Sequence, residues 1–123
     1  MTQSDNPPNQ RRKNLRRAVL AVSFVLAVVT CYLTLLTKPD LSGQQQFDKL
    51  YHFLAFAALV LPSALFDRRD MLWIAVSALA LGAIIEVIQP YVGRGRELGD
   101  FIADALGVGA AVVAGSIYQR LRR

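Results

Sequence analysis

Apolar residues in this chain fall into four long blocks, separated by short stretches that hold most of its charge. The first, AVLAVSFVLAVVTCYLTLL, starts at Ala18 and meets no charged side chain before Thr37. As an α-helix at about 1.5 Å per residue it reaches roughly 28 Å, enough to cross the hydrocarbon core of a bilayer. Leu50 to Phe66, Met71 to Ile88 and Phe101 to Tyr118 follow, each near the lower limit for crossing and each with a polar residue inside it: His52, Glu86 or Asp104. Core helices of a soluble bundle would show water a charged face, and apart from those three residues these blocks have none. The pattern predicts an all-α fold: a four-transmembrane-helix antiparallel bundle with spans at about 18–37, 50–66, 71–88 and 101–118, inside a membrane domain of 18–119.

The joints agree with that division. Asp67-Arg68-Arg69-Asp70 reads as a tight charged turn between the second and third spans, as an antiparallel helix pair requires. Pro39 and Gly43 mark the connection from Lys38 to Lys49, and Pro90, Gly93, Gly95 and Gly99 mark the one from Gln89 to Gly99. Residues 1–17, with Pro7-Pro8 among Asn, Gln and Ser, read as a disordered basic tail, and 120–123 as a short basic one. Composition sharpens the membrane reading. The chain has 123 residues, 54% apolar and 19% charged, while a soluble domain of this size buries only about two-thirds of its surface and cannot hide such an excess.

Charge sets the orientation. The two termini and the Asp67–Asp70 turn carry ten basic and three acidic residues, a net +7; the two opposite connections and their flanks carry four basic and six acidic, a net −2. The positive-inside rule puts both termini in the cytoplasm. The excess of base is then a matter of orientation and of attraction to anionic lipid, and nucleic acid is not an expected partner because no basic stripe lies on a water-facing domain. A cleaved signal peptide is the competing account of the first block. Its apolar run is too long for an h-region, no A-x-A site follows, and Arg11-Arg12-Lys13-Asn14-Leu15-Arg16 is only a loose twin-arginine match. Cys31, the one thiol, cannot form an internal disulfide and suits a small apolar packing role. Tyr32, Trp73, Tyr91 and Tyr118 suit interfacial anchoring.

An up-down bundle brings the remaining polar residues to one end. Asp48, Lys49 and His52 enter the second span, Glu86 and Gln89 leave the third, and Arg94, Arg96, Asp100 and Asp104 lead into the fourth. Asp48 and His52 are four apart, as are Asp100 and Asp104, so each pair shares a helix face. Ala78, Gly82 and Glu86 form a small-small-acidic line, and Gly107, Ala111 and Gly115 continue the face of Asp104; small residues at that spacing let helices pack closely. Charge facing lipid is costly, so these side chains are expected to turn inward as one polar cluster at the outer end, lidded by the Gly93–Gly99 loop.

The ordered motifs DKLYHF (Asp48–Phe53), EVIQ (Glu86–Gln89), a Gly/Arg loop with Arg96, and DFIAD (Asp100–Asp104) running into a small-residue helix resemble the VanZ-like family of bacterial membrane proteins. The pattern of that family is D-K-x-x-H, E-x-x-Q, R, and D-x-x-x-N followed by Gly, and the resemblance covers roughly Phe47 to Gly115. Asp104 departs from it, standing where the family often has Asn. The resemblance implies a multi-pass protein of the bacterial cytoplasmic membrane and an effect on resistance to the lipoglycopeptide teicoplanin; it implies no particular reaction.

Several readings stay open side by side. Glu86 is either an interhelical anchor, paired with Arg96 or Lys49, or a carboxyl that exchanges protons or binds a headgroup. His52 is a satisfied structural histidine or a general base. Asp100 most simply caps the fourth span. Arg94 and Arg96 either hold a phosphate by bidentate hydrogen bonds or pair with Glu97 and Asp100. His52, Glu86, Asp100 and Asp104 could ligate a metal, but no H-E-x-x-H or Cys/His spacing supports one, and neither metal nor cofactor is expected. Two function classes remain. The favoured one is a non-catalytic envelope protein whose outer pocket takes an anionic lipid headgroup or a lipid-linked ligand, or fixes a homo-oligomer or membrane complex. The other is a small membrane enzyme or proton-coupled carrier using Glu86, Asp104 and His52 as acid and base, against which stands the lack of a Ser or Cys nucleophile in the cluster.

Overall fold

The computed structural model describes residues 7–36 and 45–123. Its four helices are α1 (Pro8–Leu36), α2 (Gln45–Phe66), α3 (Arg68–Ile88) and α4 (Leu98–Leu121), with a 3-10 turn at Gln89–Val92 extending α3. Among the described residues there is no strand. Every helix is longer than its predicted span. α1 begins at Pro8, whose fixed φ suits a first helical position, so the basic stretch from Arg11 to Arg17, expected as part of a disordered tail, is helical. The expected turn at Asp67–Asp70 shrinks to Asp67 alone, and α3 starts at Arg68. The predicted marks at Pro39 and Gly43 lie outside the described residues.

Four interactions, two at each end, fix the antiparallel order. At one end Arg16 pairs with Asp70 at 2.5 Å and Gln119 donates to the Ala64 carbonyl at 2.8 Å, so the start of α1, the α2–α3 joint and the tail of α4 are neighbours. At the other end Arg94 reaches back to the Thr34 carbonyl and to Asp48, joining the end of α1 to the start of α2 and the α3–α4 connection. α2 is the central helix, packing on all three others and most closely on α4, whereas α1 rests on α2 and α3 and does not reach α4.

The α2–α4 seam explains the small-residue line. A Cβ added at Gly107 would collide with the backbone carbonyl of Phe53, and one at Gly115 with the backbone and Cβ of Ala64. Main chain cannot move aside as a flexible side-chain tip can, so the glycines set how closely the helices approach. Phe56, Leu59 and Val60 of α2 fill the core with Ile74, Ala75, Ala78 and Ile85 of α3 and Val108 and Ala111 of α4. On α1 only Val19, Ser23 and Thr30 are buried, and the Ser23 hydroxyl donates to the Leu59 carbonyl at 3.0 Å.

Polarity is reversed relative to a soluble bundle. Phe24, Trp73 and Leu72 are 70%, 73% and 68% exposed, while His52, Glu86, Gln89, Asp100 and Asp104 are buried. All four helices are long and apolar enough to cross a membrane. The chain is an all-α, multi-pass membrane protein whose lipid-facing surface is apolar and whose interior holds the charge.

Candidate functional site

The cluster is assembled from the first two turns of α2, the last turn of α3, the connecting loop and the first two turns of α4. His52 lies between the two acids of α4: its Nδ1 is 2.8 Å from Asp104 Oδ1, and its Nε2 is 3.8 Å from Asp100 Oδ2. The i,i+4 spacing of the acids places one on each side of the ring. Asp104 is fully buried, and its other oxygen, Oδ2, lies 2.9 Å from where a Cβ on Gly82 would stand. Gly82 of α3 therefore clears the space that the carboxylate fills, which a side chain there would close.

With Asp104 as an acceptor, Nδ1 carries the ring proton and donates it. Nε2 then has no hydrogen bond, since 3.8 Å is beyond hydrogen-bond range. Glu86 Oε1, Gln89 Oε1, Asp100 Oδ1 and Asp104 Oδ2 are likewise buried without a hydrogen bond among the described residues. Buried polar atoms are nearly always satisfied, so five such atoms in one cluster make it the most unusual region of the fold.

Several pairings differ from the sequence reading. The Glu86 carboxylate is held by neither Arg96 nor Lys49: Oε2 accepts the backbone N–H of Glu97 at 3.2 Å, and the Glu86 backbone carbonyl accepts from Arg96 Nε at 3.2 Å. Glu86 thus ties the end of α3 to the residue that precedes α4. Lys49 pairs with Glu97 at 3.0 Å on the partly exposed rim. Arg94 pairs with Asp48 at 3.6 Å, a partner the sequence reading did not offer, and its side chain is only 8% exposed. Asp100 does not cap α4. The helix starts at Leu98 after Glu97, and Asp100 sits within the first turn, where the helix dipole favours its negative charge while its carboxylate faces His52.

α1, which the sequence marks only as a span, contributes to the site. The Thr34 carbonyl near its C-terminus accepts a hydrogen bond from Arg94, a guanidinium placed where a helix leaves carbonyls unpaired and carries partial negative charge. A cleft of about 420 Å3 opens between α1 and α2. Leu33, Tyr51 and Ala55 line its apolar length, Thr30 and Thr34 border it, and Asp48, His52 and Arg94 form its polar end. Nothing in the hydropathy pattern distinguishes Thr34 or Tyr51; only the packing of α1 on α2 brings them in.

Chemically the cluster offers an oriented imidazole with a free nitrogen, carboxylates on either side of it, and two arginines on the loop. Asp48, His52 and Asp100 bring one potential ligand atom each to within 4.8 Å of one another. Comparison with protein-family models, with curated proteins and with solved structures finds no match for this chain.

Proposed function

We propose that the protein is a VanZ-like component of the bacterial cytoplasmic membrane, with both termini inside, whose outer polar pocket holds the anionic headgroup of a lipid or lipid-linked envelope precursor. The observation that carries this reading is the cleft between α1 and α2: apolar along Leu33, Tyr51 and Ala55, it ends on Arg94, Asp48 and His52. That sequence of surfaces suits a ligand with an acyl or polyprenyl chain and a charged head, and sites for such ligands are mostly apolar with a few fixed polar groups. Arg94, at the polar end of the cleft, supplies donors of the fork geometry that phosphate accepts. Sequestering or presenting such a lipid is a route by which a protein without a reaction alters the response to surface-acting lipophilic antibiotics.

The test is the lipid that co-purifies with the full chain, measured by mass spectrometry. Wild type is expected to enrich an anionic or polyprenyl-linked species over the bulk membrane; Arg94→Ala removes the cation at the polar end of the cleft, and Leu33→Trp fills its apolar length, so each should abolish the enrichment. Identical lipid profiles for all three would refute the reading.

The second class, a small membrane enzyme or proton-coupled carrier, draws support from His52, oriented by Asp104 with Nε2 free as a general base would be. Glu86→Gln separates the two. A binding protein keeps its phenotype when a carboxyl becomes an amide of the same shape, and one that depends on proton transfer loses it while remaining folded and inserted.

A further inference from the structure

The charge of the cluster sets a problem that an anionic ligand alone makes worse. Lys49 pairs with Glu97 and Arg94 with Asp48 at the rim, which leaves the buried carboxylates Glu86, Asp100 and Asp104 without a Lys or Arg ion pair among the described residues. In a low-dielectric interior such an imbalance is expensive unless a counter-charge is present.

We propose that Asp48, His52 and Asp100 bind one divalent transition-metal ion of the zinc or manganese type. Their potential ligand atoms lie within 4.8 Å of one another, and His52 Nε2 and Asp100 Oδ2 are 3.8 Å apart. A metal held at about 2.0–2.2 Å by each ligand sets such atoms about 3–4 Å apart, so a small rotation of Asp48 completes the site. Asp48, in the first turn of α2, is only half-buried.

Three features beyond the acid cluster point to a ligand at this place. His52 is 1% exposed, and Nε2, the nitrogen turned toward Asp100, has no hydrogen bond. Asp100 is 2% exposed and its Oδ1 has none. Asp104 accepts from Nδ1 on the far side of the ring, fixing the tautomer that leaves the Nε2 lone pair available; a carboxylate behind a ligating histidine is the usual outer shell of such a metal. Arg94 performs the same service for Asp48, whose carboxylate can keep one oxygen on the guanidinium and turn the other to the ion.

One imidazole and two carboxylates suit zinc or manganese better than calcium or magnesium, which take oxygen ligands. Three protein ligands leave coordination positions open, and the adjoining cleft ends on Asp48 and His52. Resting on the lipid-headgroup reading, the ion then serves as the counter-charge through which a phosphate joins a site that is otherwise negative. The sequence shows no metal motif because the ligands come from two helices, forty-eight residues apart between His52 and Asp100.

The experiment uses the full chain in detergent micelles, carried on an affinity tag that contains no histidine. Titrating Zn2+ and Mn2+ separately by calorimetry should give one ion per chain, and excess Ca2+ should not compete. His52→Ala should remove saturable binding, Asp104→Asn should weaken it roughly 10–100-fold as loss of an outer-shell partner does, and Asp70→Asn at the opposite end should leave it unchanged. Should the His52 variant not fold, wild type alone decides: His52 is the only histidine, so electron spin-echo spectra of the Mn2+-loaded protein must show coupling to one imidazole nitrogen. Absence of saturable binding, binding without that coupling, or binding that survives His52→Ala in folded protein overturns the proposal. Lipid enrichment by metal-free wild type defeats the metal bridge alone, and metal binding without lipid enrichment defeats the headgroup reading alone.

Discussion

Removing His52 should expose how tightly the buried charges depend on one another. In His52→Ala, Asp104 loses its hydrogen-bond donor, the only one it has among the described residues, and it is fully buried. Stripping the hydrogen-bond donor from a buried carboxylate leaves a desolvated charge uncompensated, and costs about 3–5 kcal/mol, as the loss of any sole partner of a buried charge does. The converse change, Asp104→Ala, strands a neutral N–H and costs about 1–3 kcal/mol. With both replaced, no stranded charge or donor remains and the penalty falls to that of a cavity, about 2–4 kcal/mol. The singles together therefore exceed the double by about 2–4 kcal/mol, well above the scatter of independent sites. Reversible unfolding in mixed micelles, followed by helix circular dichroism with a chelator present throughout, measures all four corners of the cycle. Additivity within about 0.5 kcal/mol would show that the 2.8 Å contact carries no energetic coupling and would refute the reasoning.

Gly107→Ala should lower stability by about 1–3 kcal/mol, because its new methyl meets the Phe53 carbonyl, while Gly109→Ala, which meets nothing within 4 Å, should raise it by about 0.5–1 kcal/mol; the pair is compared by thermal unfolding in the same detergent. Gly82→Ala should displace the Asp104 carboxylate, and should be better tolerated in an Asp104→Ala background than in wild type, as thermal midpoints of the four proteins would reveal. At Gly93 the backbone has φ +80°, a left-handed value that costs an L side chain about 1–2 kcal/mol, so Gly93→Ala should destabilise the turn that aims Arg94, with a matching loss in thermal midpoint. For the proposed orientation, a Cys31→Ser background with Gly95→Cys should label from outside intact cells and one with Arg68→Cys should not; the reverse pattern would invert the pocket.

Hydropathy made the bundle legible because a helix in lipid needs about 20 apolar residues and shows no polar face. It could not locate the ends. Pro8, Gln45 and Leu98 begin helices amid polar residues that the pattern assigns to tails and loops, since a helix continues past the hydrocarbon wherever its backbone bonds are still made. The gathering of His52, Glu86, Asp100 and Asp104 was legible from up-down topology and helical spacing, and so was the inward face of Ala78, Gly82 and Glu86, all three buried. Partner choice was not. Arg94 and Arg96 are two residues apart on a glycine loop, yet one reaches across to α1 and Asp48 and the other turns back to α3.

From the sequence alone follow the number of helices, their membrane-spanning character and the inward turn of His52, Glu86, Gln89, Asp100 and Asp104, because each of these depends on local apolar length and on period; Lys49 and Arg96, expected in the same inward cluster, are exposed at its rim. Tertiary structure decided which of those residues touch: that Asp104 rather than Asp100 makes the hydrogen bond to His52, that Glu86 is held by a backbone N–H, and that α1 walls the cleft. The physical reason is that hydrogen bonds discriminate at the scale of an ångström. At the α2–α4 seam that scale is set by glycines packing on main chain, and the distance is a property of both helices together.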